Sequence, residues 1–104
     1  MAIAKKPDVY RSDILAAVRR KGKTLAALAS EAGEPPHVLY TAMHNASVLR
    51  GEIIIAEFLE VDPRVLWPER WKKLTPQREL WLLKNAGKLN WWRGNHLEDV
   101  GRQA

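Results

Sequence analysis

Four polar side chains recur at helical spacing in the middle of the chain. His37, Tyr40, Thr41 and His44 follow one another at i, i+3, i+4 and i+7, which places them along one face of a helix. Such a face can read base edges. A tyrosine offers a hydroxyl hydrogen bond and apolar contact with a thymine methyl, and a threonine hydroxyl serves a base or a phosphate. The two histidines read equally well as surface residues without a task. Catalysis is not what these residue types suggest. The 104 residues include no cysteine, the three histidines form no nucleophile–base pair at recognisable spacing, and no glycine-rich phosphate cradle occurs. A metal site is disfavoured too, because His37 and His44 have no third ligand near them in the sequence. The expectation is therefore no enzyme, no cofactor, no metal and no small-molecule substrate.

The charges point towards a polyanion. Seventeen Lys and Arg against twelve Asp and Glu give +5, with a pI near 9.8. They are not evenly spread: residues 1–48 carry +3, residues 49–63 carry −3 and residues 64–104 carry +5. The run Arg19-Arg20-Lys21-Gly22-Lys23 can contact phosphates or simply solvate a helix end. Phosphate contact is the better reading, because the run abuts the element before the polar face. Arg11 and Arg50 are further phosphate candidates, and Lys5 and Lys6 can form a basic arm over residues 1–9. Glu34, just before the polar face, can accept from a cytosine amino group or help to cap a helix.

Positioning these groups requires helices, and the punctuation supplies them. Ile14, Leu15 and Val18 mark a helix from about Tyr10 to Lys21, with Ser12 or a neighbour as cap and Gly22 as exit. Thr24 caps a second helix through Ala32, and Gly33 stops it. Pro35-Pro36 opens a third, reaching Met43 with Leu39, Ala42 and Met43 inward. Residues 44–50 read as a loop. A fourth helix runs from Gly51 to Leu59, burying Ile54, Ile55, Phe58 and Leu59. Asp62-Pro63 starts a short fifth, which ends before Pro68. Runs of alternating branched residues are missing, so the fold class expected is all-α: a compact bundle of five short helices over residues 10–71.

Ala29, Gly33 and Leu39 stand at the spacing of a helix-turn-helix. A small residue lets the next helix cross closely, a glycine takes the positive φ of a tight reversal, and a leucine anchors the second helix. Such a unit projects one helix steeply enough to enter a major groove roughly 12 Å wide. A plain helical hairpin is the competing reading.

Residues 72–104 form a Trp-rich extension. Thr75-Pro76 opens a helix to about Asn85, Asn85-Ala86-Gly87 breaks it, and an irregular tail follows with a weak helix start at Asn95 and Glu98. Trp67 belongs in the core and Trp71 at its edge. Trp81, Trp91 and Trp92 are too much aromatic surface to leave wet, so they dock on their own domain or form a protein interface, with stacking on single-stranded bases a weaker third reading.

From Val9 to Trp71 the chain resembles the Ner repressors of transposable phages and their bacterial Ner-like (Nlp) relatives. The likeness rests on Arg11-Ser12-Asp13-Ile14, Thr24-Leu25 through Gly33, and Leu39-Tyr40-Thr41-Ala42-Met43. Gly51-Glu52-Ile53-Ile54-Ile55-Ala56 and Val65-Leu66-Trp67-Pro68-Glu69-Arg70-Trp71 complete it. It implies a λ-repressor-like fold, a second-plus-third helix pair for double-stranded DNA, and regulation of early phage transcription. The other reading is a protein-interaction module, an antirepressor or phage adaptor, acting through the Trp-rich segment. No apolar run approaches the roughly 20 residues of a membrane span, and the first residues lack a secretory pattern. A soluble, cytoplasmic protein is expected, with a homodimer or protein partner engaged through the extension.

Overall fold

A computed structural model describes Val9, residues 11–44 and residues 48–97. Seven helices and no strand form among the described residues: α1 (Arg11–Arg20), α2 (Leu25–Glu31), α3 (Pro36–His44), α4 (Leu49–Leu59), α5 (Pro63–Leu66), α6 (Pro76–Lys84) and α7 (Ala86–Trp91). None of them is long and apolar enough to cross a membrane.

Local chemistry sets the starts. Thr24 Oγ1 accepts from the Ala27 N–H at 3.1 Å and Thr75 Oγ1 from the Arg78 N–H at 3.3 Å. Asp62 accepts from the Arg64 N–H at 2.8 Å, one residue ahead of Pro63. Gly33 leaves α2 with φ of 74°, the left-handed conformation that lets so short a link redirect the chain into α3.

One core joins α1 to α5. Ile14, Ala17 and Val18 of α1 meet Leu25, Leu28 and Ala29 of α2, Leu39 and Met43 of α3, and Ile55, Ala56 and Leu59 of α4. Trp67 and Trp71 close it below. The tightest approach is between α3 and α4. A Cβ built on Gly51 would lie 2.5 Å from the Val38 carbonyl oxygen and 2.6 Å from Ala42 Cβ, so only glycine lets the two backbones touch.

Several boundaries differ from those expected. Ser12 lies inside α1 rather than ahead of it. The fourth helix begins at Leu49, two residues before Gly51; of the expected loop, residues 45–47 lie outside the described residues. Ile54 and Phe58 are only half-buried, and their places in the core are taken by Gly51, Glu52 and Ala56. The largest correction is α7, which forms where a break and an irregular tail were expected. The Asn85 N–H and side-chain amide both donate to the Trp81 carbonyl, ending α6, while the Asn85 carbonyl accepts from the Leu89 N–H and opens α7 at once. Gly87 costs such a helix roughly 1 kcal/mol. Burial of Trp92 and an ion pair between Lys88 and Glu57 at 2.7 Å offset it. The Asn95 amide donates to the Glu60 carbonyl at 2.7 Å, and Glu98, its partner in the expected weak helix start, lies outside the described residues.

Candidate nucleic-acid interface

α3 has two unlike sides. Leu39 and Ala42 are fully buried and Met43 nearly so, whereas His37 and His44 are exposed, Tyr40 keeps 43% of its surface in solvent and Thr41 is half-buried. The outward stripe anticipated from spacing is therefore presented as one surface. Ala29, with no exposed area, lies in the core beneath it, and Leu39 anchors α3 there.

The cations divide into two groups. Arg11, at the first residue of α1, hydrogen-bonds to His44 at the last residue of α3. Arg50 pairs with Glu34, tying the link before α3 to the start of α4. That ion pair is the contact the structure shows for Glu34. Arg11 and Arg50 thus adjoin the polar stripe. The run at the other end of α1 lies a helix length away, about 15 Å for ten residues. There the Arg20 guanidinium donates to the Leu97 carbonyl at 2.9 Å. Lys21 donates to the Phe58 carbonyl, sits 4.9 Å over the Phe58 ring and lies 3.8 Å from Glu60. Lys23 pairs with Glu31, and Arg19 is exposed. Arg20 and Lys21 fasten α1 to the end of α4 and to the extension, on the structure's own groups.

A second cluster escaped the sequence reading. Glu52 is fully buried. Its carboxylate accepts from Trp71 Nε1 at 2.8 Å, from Arg70 at 3.1 Å and from Arg78 at 3.3 Å. Burial pushes the Glu52 carboxyl above its ordinary value, while Arg78, the Trp71 N–H and Arg70 pull it back. Arg70 also donates to the Ala42 carbonyl of α3 and lies 5.3 Å over the Trp67 ring. A signal for this cluster was present: Glu52 shares the i, i+3, i+4, i+7 register of Ile55, Ala56 and Leu59, the buried face of α4.

The tryptophans of the extension do not share one role. Trp92 is only 6% exposed, and Trp81 is half-buried against Trp71 with centroids 5.9 Å apart. Trp92 is thus covered and Trp81 partly so, because the extension folds back on α4. Trp91, at 87% exposure, remains outside with Leu80 and Leu83.

α3 thus carries a polar face on a sealed core, one short glycine turn after α2. The family described as winged helix-turn-helix DNA-binding matches residues 8–80. The chain belongs to this family. The described residues supply no strand for a wing, so the likeness here rests on the helices. Among individual proteins, the negative regulator of transcription of Escherichia phage Mu is 35% identical over 65 residues, 62% of this chain and 85% of that protein. Sugar fermentation stimulation protein B of Escherichia coli K12 is 38% identical over 64 residues, 62% of this chain and 68% of that protein. No solved structure matches. The Ner-like resemblance is thus borne out, and this helix-turn-helix domain has double-stranded DNA as its partner.

Proposed function

We propose that this helix-turn-helix protein is a sequence-specific transcriptional regulator of the phage or prophage repressor type, working in the bacterial cytoplasm by occluding a promoter. α3 enters the major groove, and His37, Tyr40, Thr41 and His44 face base edges. The observation that carries the reading is the contrast along α3: its inner face is sealed by Leu39 and Ala42 while its polar stripe stays in solvent. The resemblance to a phage regulator named for negative control of transcription supports the repressing sense.

Residues 10–71 are the DNA-binding unit in this reading, and 72–104 an extension laid over it. Arg11 and Arg50 are the phosphate contacts best supported, being tied to the end and the approach of α3. Arg19, Arg20, Lys21 and Lys23 contribute at longer range through the field. Leu80 and Leu83, one turn apart on α6, leave an exposed apolar strip on the extension, with Trp91 exposed on α7, and a second copy of the chain is the strip's proposed occupant, because two reading helices then meet half-sites about one helical turn apart. Protein–protein adaptor work through this strip is the second reading, favoured only by that exposure.

Gel-shift titration against a duplex selected from a random pool tests the first reading. Arg11→Ala weakens all duplexes alike and flattens the salt slope by about one. Absence of salt-dependent duplex binding by the unaltered chain overturns it. Sedimentation of Leu83→Glu tests the second copy: a dimer that persists removes the strip from the account.

A further inference from the structure

We infer that Arg70 is a positioning residue for DNA reading: it holds the C-terminal turn of α3 from behind and so sets how the polar stripe meets the groove. This rests on the function proposed above and adds a residue that touches no DNA.

The last four carbonyls of a helix have no partner within it. In α3 these belong to Thr41, Ala42, Met43 and His44. Arg70 donates to the Ala42 carbonyl, one residue from Thr41 and two from Tyr40, from the side opposite the stripe. The same guanidinium nitrogen donates to Glu52 at 3.1 Å, and the guanidinium lies over the Trp67 ring. The Arg70 side chain is only 10% exposed and Glu52 is sealed, so neither is available to phosphate. Glu52 adjoins Gly51, whose missing side chain lets α4 touch α3 at Val38 and Ala42. Ala42 is therefore fixed twice by neighbouring positions of α4: by shape at Gly51, and by charge through Glu52 and Arg70. A cation at the negative end of a helix dipole adds a favourable charge term. Arg78 of α6 shares the Glu52 carboxylate, so the extension steadies the same anchor.

The experiment uses the full chain and a duplex selected from a random-sequence pool, with a scrambled duplex beside it. Arg70→Met is expected to lower affinity for the selected duplex about tenfold more than for the scrambled one, the size of a lost charged hydrogen bond, with the salt slope unchanged. Arg70→Lys restores most of the difference, because an ammonium can serve both acceptors. Val61→Ala, on the turn between α4 and α5, provides a destabilised control that keeps the discrimination. Without DNA, Arg70→Met should speed amide hydrogen exchange in the last turn of α3 more than Val61→Ala does. Equal losses on both duplexes, or equal exchange in the two variants, overturn the inference. If the unaltered chain discriminates and Arg70→Met does too, the inference alone falls; if the unaltered chain shows no preference, the proposed function falls with it.

Discussion

α4 is gripped from two sides by different forces. Against α3 the direct contact is mainly one of shape, with the Glu52–Arg70 bridge to the Ala42 carbonyl beside it: Gly51 lets backbones touch, and Leu39, Ala42 and Ile55 fill the space with apolar side chains. Against the extension it is largely one of charge and hydrogen bonds: Arg78 to Glu52, Lys88 to Glu57, and Asn95 to the Glu60 carbonyl, while Trp81 of the extension meets Trp71 rather than α4 itself. Shape contacts are insensitive to salt and intolerant of added volume. Charge contacts near the surface contribute little each and weaken with salt. The helix proposed to read DNA is thus mounted on the side held mainly by shape.

Perturbing the two sides should separate them. Gly51→Val is expected to have the largest effect, about 3 kcal/mol or more of lost stability in urea unfolding, since its Cβ alone already overlaps backbone. A small loss would mean that α3 can move away from α4. Arg78→Met comes next, at about 1–3 kcal/mol, because Arg70 and Trp71 still serve the Glu52 carboxylate. Lys88→Ala should cost about 0–1 kcal/mol, and the loss should shrink as salt is added, whereas that of Gly51→Val should not. A salt-independent Lys88→Ala would place the extension on the shape side after all.

Glu52 supplies the finest distinction, through pH. Its folded carboxyl holds a proton more tightly than the unfolded chain does. Its stabilising share is therefore fully present below the ordinary carboxylate value and declines as pH rises through the raised one. Unfolding of the natural chain and of Glu52→Gln, compared across mildly acidic pH, should show the natural chain losing stability relative to the variant over that window. A relative gain with rising pH would mean that the arginines outweigh burial.

The reading side was far more legible in the sequence than the extension. Periodicity and punctuation exposed α1, α2 and α3 to within a residue or two, and Ala29, Gly33 and Leu39 marked the turn because small, φ-permissive and anchoring residues have few other reasons to stand so spaced. The polar stripe followed from the same period. α7 did not, since Asn85-Ala86-Gly87 has local features of a stop and only tertiary contacts at Lys88 and Trp92 hold it helical. The Arg19–Lys23 run misled in a similar way: adjacency in sequence suggested nearness to the stripe, but α1 carries most of the run to the far end of α4. The register of α4 placed Glu52 on its buried face, but its partners Arg70 and Arg78 stand 18 and 26 positions away, and no local pattern names them.

The direct test is competitive binding of the natural chain and Tyr40→Ala to a pool-selected duplex and to its scrambled counterpart. If α3 reads base edges, Tyr40→Ala loses about 1–3 kcal/mol on the selected duplex and almost nothing on the scrambled one. Equal losses on both, or none on either, would contradict the claim that this stripe reads sequence.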